Sequence, residues 1–380
     1  MARNPFRSLI PLAATALLMA APVPAKADGL TLPPSGDNQY MSITAGIGLV
    51  RVTLEYHSPD VHGPEGEDRR GKIWGGLVPF GLTSHGFTCG EKCPWRGGAN
   101  ENTVFTTSHD IKIQGQPLPA GSYGLHFIPD PEEWTIIFSK NHSSWGSYYY
   151  DPKEDVLRVK ARPEKNEYTE WLTYDFTDRK PDHATIALKW EDLKLPFTVT
   201  VDNLVDLYVE SLRNEMRTEA GFSQESRLAA AQYCLENGKN LAEALEWAEL
   251  AARAVRIDRT SFMSITTLAD LQVANGKSEE ARKTLDRALS IPGLDPSEVH
   301  QYGRQLQSRK RNEDAMHVFE ANAKRFPETW PVHMGLARGH LGLGHKKEAL
   351  AEARLALEQA PDEESRKGVE ALVRQIEQDK

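Results

Sequence analysis

The spacing of apolar residues changes once along this chain, near residue 202, and that change limits the folds that it can adopt. Before this point apolar side chains mostly alternate with polar ones, as Val50, Val52, Leu54 and Tyr56 do in "LVRVTLEY". A period of two is typical of strands that are buried on one face. Beyond it, "NLVDLYVESLRNEMRTE" follows a helical period. The sequence therefore predicts a strand-rich unit followed by a helical one.

The same alternation recurs in further segments of the first half. "WLTYDFT", "ATIALKW" and "PFTVTV" each place their apolar residues on one face. Turn sequences such as "PDPEE", "DPKED" and "DRKPD" separate the strands, and Pro119 and Gly121 suit a tight turn in "LPAG". About eight to ten short strands without crossover helices predict an antiparallel β-sandwich or jelly roll.

The helical half repeats itself with a period near 34 residues. One alanine lies early in the second helix of each predicted pair: Ala244, Ala281, Ala315 and Ala349. These alanines are separated by 37, 34 and 34 residues, and Pro327 and Pro361 end the last two units. A period near 34 with paired helices resembles the tetratricopeptide repeat, whose small residues let the helices cross closely. Stacks of such repeats have a concave groove that commonly binds peptides.

The repeat pattern also sets the predicted domain limits. Gln232 occupies a position where the motif has a small residue, so the first unit is either a cap or a degenerate repeat. We expect a sandwich over residues 40–202, a connecting helix over 203–222, and repeats with a closing helix over 223–380. The helical array either binds a protein partner, which we favour, or only supports the sandwich.

The first residues have the features of a secretory signal. Arg3 and Arg7 precede an apolar stretch, and Ala25-Lys26-Ala27 follows it. This pattern predicts cleavage after Ala27 and a periplasmic or secreted protein. An uncleaved anchor is the alternative, but the apolar stretch is shorter than the ~20 residues that a spanning helix needs. We expect no integral membrane segment in the mature chain.

Charge and cysteine content exclude some classes of function. The formal net charge is -9 and no basic stripe is present, which argues against binding to nucleic acid. Cys89 and Cys93 are expected to form a disulfide in an oxidising compartment. A metal site that uses them with His85 or His62 is the alternative, although C-x3-C without a second pair is a weak zinc signal. We therefore predict neither a metal nor a cofactor.

Several phrases in the first half occur together in one order. They include "GPEGEDRRGKIWGGLVPFG", "PWRGGANENT", "LPAGSYGLHFIP" and "SSWGSYYYDPKEDVLRVKARP". Over residues 43–202 the chain resembles the bacterial domain-of-unknown-function family twenty-nine-eleven. The resemblance implies an exported protein, with tetratricopeptide units behind the domain in some members, and it implies no established reaction. This chain departs by inserting "TSHGFTCGEKCP" before Trp95, where it would affect access to any pocket below.

The segment "WRGGANE" carries the first group of candidate site residues. Arg96 offers a planar fork of donors, Asn100 both a donor and an acceptor, and Glu101 a carboxylate. On a loop before a strand, this group suits a carboxylate, a phosphate or sugar hydroxyls. We therefore predict ligand contacts from Trp95, Arg96 and Asn100.

Two further residues are predicted to bind the same ligand, and a structural role is the alternative for the whole group. Asp68, in the charged "GPEGEDRRGK" loop, is a predicted ligand contact, and so is Trp145, because loop aromatics stack on sugar rings. In the alternative, Arg96 pairs with Glu101, or with Glu67 or Asp68, and only fixes the loop.

His126 interrupts the apolar strand "YGLHFIP". Its imidazole suits a general base or a ligand, although such a histidine is more often a satisfied core residue. A metal site of His57, His126 and Glu101 has no supporting spacing. If Arg96, Glu101 and His126 met in an open cleft, catalysis would be favoured.

The sequence thus predicts a binding or scaffolding module of the cell envelope. In this interpretation the sandwich binds a small polar or carbohydrate ligand, and the repeats bind a protein. The alternative is an exported hydrolase acting on cell-envelope material. Its site would use Glu101 as acid/base, Arg96 as an anion clamp and His126 as an assisting group.

Overall fold

The computed structural model describes residues 38–84, 89–90, 92–253, 260–327 and 329–378. The predicted signal peptide, residues 1–27, lies outside this part of the chain, and so does His85. The chain forms two compact units, divided between Asp202 and Asn203. Within the described part, we find no helix with the length and apolar character needed to cross a bilayer.

Strands make up the first unit. They are β1 (Gln39–Ile47), β2 (Val50–Ser58), β3 (Ala99–Thr107), β4 (Ile111–Ile113), β5 (Gln116–Leu118), β6 (Gly121–Ile128), β7 (Trp134–Ser139), β8 (Asp155–Ala161), β9 (Glu164–Thr177) and β10 (His183–Thr200). One sheet has six strands in the order β1-β2-β3-β6-β7-β8, and the other has four in the order β5-β4-β10-β9. All of their pairings are antiparallel.

The two sheets pack face to face through the apolar residues that alternate along the strands. The predicted inward residues of β2 are all buried. Tyr56 of β2 meets Tyr174 of β9 edge to face, with ring centroids 4.8 Å apart. Phe138 and Phe197 meet in the same way at 6.5 Å. Each such aromatic pair contributes about 0.5–1.5 kcal/mol beyond the area that it buries. The predicted antiparallel sandwich is confirmed.

Four tryptophans form a second aromatic cluster in this unit. Trp74 lies 5.2–5.8 Å from the rings of Trp95, Trp134 and Trp190. Trp134 and Trp190 are fully buried. Because Trp95 belongs to this cluster, apolar packing holds the segment that leads into β3 at Trp95, four residues before the strand begins.

Helices make up the second unit. They are α1 (Leu204–Glu215), α2 (Gln224–Asn237), α3 (Leu241–Arg253), α4 (Thr260–Ala274), α5 (Ser278–Leu289), α6 (Pro296–Ser308), α7 (Asn312–Arg325), α8 (Trp330–Gly342), α9 (Lys346–Glu358) and α10 (Glu363–Gln378). A short 3-10 turn, Glu219–Phe222, lies between α1 and α2. Residues 203–222, which were predicted to form one connecting helix, are therefore a helix followed by a short turn.

The helices pair as the repeat pattern predicts. The alanines that mark the period lie early in α3, α5, α7 and α9, and all four are buried. Within the helix pairs, three of the turns place a glycine at positive φ, and the "SRKRN" turn of the remaining pair places Lys310 there at φ 60°. A Cβ on Gly303 would lie 2.3 Å from the Phe319 ring, so α6 and α7 need glycine to cross closely. The predicted helical solenoid is confirmed.

Candidate functional site

The "WRGG" segment is fixed to the sandwich before it reaches β3. Trp95 and Phe127 exchange two backbone hydrogen bonds, with N···O distances of 2.8 and 2.7 Å. Gly97 has φ +67°, and a Cβ there would lie 2.4 Å from the Phe127 ring. The Gly97 carbonyl accepts a hydrogen bond of 2.8 Å from the hydroxyl of buried Tyr174. The segment is therefore a rigid part of the fold, with Trp95 half-buried inside it.

Arg96 is held by neutral partners. Its Nη1 donates to the backbone oxygen of Asn100. Its guanidinium lies 5.2 Å from the centre of the Tyr148 ring, a cation–π contact. Gly146 makes room for it, because a Cβ there would lie 2.4 Å from Arg96 Cζ. The backbone of Asn100, rather than its side chain, thus contacts the arginine.

The carboxylates that were considered as partners of Arg96 pair elsewhere in the described structure. Glu101 forms an ion pair with His57, with Oε2 3.1 Å from Nδ1. Glu67 binds Arg69, and Asp68 binds Arg70. Arg70 holds the pKa of Asp68 well below its usual range, mainly through side-chain hydrogen bonds. The alternative prediction, that Arg96 pairs with one of these carboxylates, is therefore wrong. Arg96 instead contacts the Asn100 backbone and the Tyr148 ring.

Glu101 and His57 form a partly exposed acid–base pair on neighbouring strands. The Glu101 side chain is 51% exposed and that of His57 is 16% exposed. Burial lowers the pKa of His57, and the Glu101 charge partly opposes that shift. The ring of Tyr40 packs edge-on against His57 at 5.6 Å. From the sequence, His57 was considered as a metal ligand, and β2–β3 pairing is what places it beside Glu101.

His126 lies inside the sandwich and contacts a serine that sequence reasoning did not single out. Its Nδ1 is 2.9 Å from Ser147 Oγ, and the two residues are 2% and 1% exposed. Burial lowers the pKa of His126 to about 3, and the positive charge of Arg96 adds to the effect. The imidazole is therefore neutral at neutral pH and is a weak base. The only sequence signal for Ser147 was its place in "SSWGSYYY".

The remaining predicted contacts divide between two regions. Trp145 is 50% exposed and directly precedes Gly146, so it lies on the loop that covers Arg96. Asp68 instead belongs to a surface cluster in which His62 binds Glu170, with Nδ1 and Oε2 3.0 Å apart. The structure thus brings together Arg96, Asn100 and Trp145, and it groups Asp68 with other partners.

Cys89 and Cys93 form a disulfide in this structure, with their Cα atoms 5.5 Å apart. The Cys89 N–H donates to the Tyr148 carbonyl at 3.1 Å, so the inserted segment is attached to the loop that covers Arg96. Among the described residues, no three acidic, histidine or cysteine side chains are placed to hold a metal ion.

A second candidate site lies on the helical unit. Side chains of α6, α8 and α10 line a cavity of about 330 Å³, and they include Arg304, Arg338 and Gln375. Gln307 Nε2 donates to the Arg338 carbonyl at 2.7 Å. The Nε of Arg338 is buried and has no hydrogen-bond partner within the described part of the chain. Sequence reasoning missed these residues, although the 34-residue spacing of the two arginines was a readable signal.

The fold and these sites define a two-unit chain, a β-sandwich followed by helical repeats. Residues 38–199 match the family described as "Protein of unknown function (DUF2911)". The sandwich unit thus has this family's sequence pattern, and tetratricopeptide-like chains are among the similar solved structures, as predicted.

Three of those solved structures illustrate the likeness. One is a Podosopora anserina chain whose description reads "kinesin light chain nearly identical TPR-like repeats". It is 20% identical over 40% of this chain and 85% of its own, with a TM-score of 0.29. A thermophilic TPR protein of Thermus thermophilus is 19% identical over 45% and 91%, with a TM-score of 0.28. YrrB, a TPR protein with an unusual peptide-binding site, is 16% identical over 44% and 84%, also with a TM-score of 0.28. No curated protein matches the chain.

Proposed function

We propose that this chain is an exported binding protein. Its helical unit binds a segment of a protein partner, and its sandwich binds a small polar or carbohydrate ligand. The observation that carries the proposal is the cavity between α6, α8 and α10. Polar side chains from three helices meet there, and one buried donor group, the Nε of Arg338, has no partner within the described structure. A buried donor without a partner costs free energy that a bound acceptor restores.

The sandwich ligand is proposed for the loop over Arg96. Trp145 and Tyr149 on this loop are 50% and 55% exposed, and the loop is braced by the Arg96–Tyr148 contact. Exposed aromatic side chains on a rigid loop provide flat surfaces for stacking against sugar rings. Arg96 and Asn100 would supply hydrogen-bonding groups at the edge of that surface.

Export is proposed from the sequence of residues 1–27 and agrees with the disulfide. The basic start, the apolar stretch and Ala25-Lys26-Ala27 have the order of a cleavable signal. A disulfide between Cys89 and Cys93 persists in an oxidising compartment and is rare in the cytosol. Labelling of thiols under denaturing, non-reducing conditions should detect Cys234 alone in the exported protein.

Hydrolysis remains the second candidate because of one contact, the ion pair of Glu101 with His57. A hydrolase would use this partly exposed pair, since His126 is buried and its pKa is about 3. Arg96 donates to the Asn100 backbone oxygen, so it would stabilise only negative charge that develops near Asn100. Loss of glycan hydrolysis in Glu101→Gln, with activity retained in the exposed control variant Glu132→Gln, would support this second candidate.

Partner binding by the helical unit can be tested by site-specific photo-crosslinking in the exporting cell. A photoreactive phenylalanine analogue replaces Leu341, which lines the cavity. The matched control replaces Glu320, an exposed residue of α7. We expect discrete adducts from position 341 and none from position 320. Absence of adducts from position 341, or equal adducts from both positions, would contradict the proposal.

The sandwich ligand can be tested by thermal shift with small glycans and polar metabolites. A ligand that binds the native state raises the unfolding midpoint by mass action. We expect a shift that Trp145→Ala removes and that Tyr168→Ala preserves, since Tyr168 is equally exposed on β9. A shift that survives Trp145→Ala would place the ligand elsewhere.

A further inference from the structure

One repeat position carries a charged residue in three successive units of the helical array. Asp270 on α4, Arg304 on α6 and Arg338 on α8 are spaced by 34 residues each. They are therefore equivalent positions on the first helices of consecutive pairs. The three side chains differ in how their charge is balanced, and that difference carries the inference.

The charge of Asp270 is balanced inside the unit. Its side chain is 5% exposed. Arg309 and Arg311 bind its two oxygens at 2.6 and 2.5 Å, and the Tyr302 hydroxyl donates to it at 2.8 Å. This group is a closed network, in which each charge has a partner of the same chain.

The two arginines have no such network in the described structure. No carboxylate of the described residues lies within ion-pair distance of Arg304 or Arg338. Burial and the neighbouring Arg304 both lower the pKa of Arg338. Burial lowers the pKa of nearby His300 to about 4, and the two arginine charges add to that shift. The positive charge of this cavity is therefore an unfavourable feature of the free protein, and an anion would relieve it.

We propose that Arg304 and Arg338 bind side-chain carboxylates of an acidic segment in the protein partner. This inference rests on the proposed partner-binding function of the helical unit. Guanidinium groups match carboxylates in bidentate geometry, and charge-assisted hydrogen bonds are roughly twice as strong as neutral ones. Gln307 and Gln375 add amide groups that suit the backbone of an extended peptide.

The surroundings favour a peptide over a larger polyanion. The sequence has no basic stripe, so the chain offers no extended positive surface to a nucleic acid or an anionic membrane. A cavity of about 330 Å³ with two arginines holds one or two carboxylates rather than a continuous phosphate backbone. The specificity thus lies in a local positive site on an acidic protein.

The test measures binding of a fluorescein-labelled, C-terminally amidated hexaglutamate peptide to the full chain by anisotropy. Hexaglutamine is the neutral comparison. We expect hexaglutamate to bind at least about tenfold more tightly, and the double variant Arg304→Gln/Arg338→Gln to remove that preference. Arg354→Gln, an exposed arginine of α9, is the matched control and should preserve it. Equal binding of the two peptides, or a preference that survives the double variant, overturns the inference.

Two further measurements separate the outcomes. Because the two arginines repel each other, the double variant should melt at the wild-type temperature or above it, so lost binding is not lost folding. Displacement of hexaglutamate by millimolar inorganic phosphate would show a general anion site and overturn the carboxylate assignment. Adducts from position 341 that persist in the double variant would leave partner binding intact and overturn only the acidic specificity.

Discussion

Arg96 in the sandwich unit and Arg338 in the helical unit are both half-buried, but their surroundings differ. Arg96 donates to a carbonyl, stacks on Tyr148 and fits against Gly146. Arg338 has an Nε without a partner in the described structure and a second arginine beside it. Residue type alone therefore does not mark a binding site. An arginine whose partners lie within the fold, such as Arg96, stabilises a loop and has only its remaining donors for a ligand. Arg338, with no partner for its buried Nε in the described structure, has more bonding capacity left for another molecule.

The largest effect on stability is expected at Asp270, the residue of the repeat position whose charge is balanced by partners within the chain. Asp270→Ala leaves Arg309, Arg311 and Tyr302 without their shared acceptor. We expect the free energy of unfolding to fall by roughly 3 kcal/mol, the low end for a broken buried pair, because Arg309 is partly exposed. Urea unfolding followed by circular dichroism at 222 nm measures the change.

The control for Asp270 is Asp286→Ala, which removes an exposed partner of His317. Exposed pairs contribute about 0–1 kcal/mol, so a small change is expected there. Equal losses for the two variants would mean that the buried Asp270 network stabilises the fold no more than an exposed ion pair does.

A second prediction concerns the dependence of sandwich stability on pH. The pKa of His126 in the fold is about 3, below its usual value near 6.5. The folding stability that depends on neutral His126 is therefore fully present above pH 6.5 and is lost as the pH falls towards 3. The slope that it adds is at most about 1.4 kcal/mol per pH unit. Urea unfolding between pH 7 and 4 should show this slope diminished in His126→Gln and unchanged in the exposed variant His142→Gln.

The rigidity of the "WRGG" segment gives a third prediction. Gly97→Ala forces a side chain into the left-handed region and places its Cβ against Phe127 and Tyr174. We expect a loss of about 2–3 kcal/mol from the combined backbone strain and overpacking. Gly66→Ala is the control, because its φ is +83° but nothing lies within 4 Å of the added Cβ. A smaller loss at Gly97 than at Gly66 would contradict the close packing described here.

The smallest effect is expected for Arg96 itself. Arg96→Gln removes one hydrogen bond and one cation–π contact, which together contribute about 1–2 kcal/mol. A lost buried arginine–carboxylate pair would cost more. A double-mutant cycle with Tyr148→Leu isolates the stacking contribution. Coupling near zero would show that the aromatic ring does not hold the arginine, and the contrast with Arg338 would weaken.

Much of the architecture followed from local pattern. The alternation in β2, the change of period near residue 202 and the spacing of the four alanines predicted both units correctly. The "SRKRN" segment forms a turn although it lacks glycine, and Lys310 adopts the positive φ that glycine has in the turns of the other helix pairs. These features depend on which face each residue occupies, and periodicity encodes that directly.

The candidate sites were less predictable, because their contacts join residues far apart in the chain. His57 meets Glu101 through the pairing of two strands, and His126 meets Ser147 through a loop that folds over the sheet. Asp68 was grouped with Arg96 by its chemistry, but it binds Arg70. The charged repeat position was readable in sequence, yet the balance at Asp270 and its absence at Arg338 were not.

The two kinds of secondary structure, the repeat length and the residues available for chemistry could all be read from the order of residues. Which charged groups share a partner, and which are left without one, depends on the folded arrangement. Burial patterns repeat with the period of a helix or strand, whereas an ion pair needs two particular side chains within about 4 Å. That proximity depends on how whole elements pack, and no local spacing specifies it.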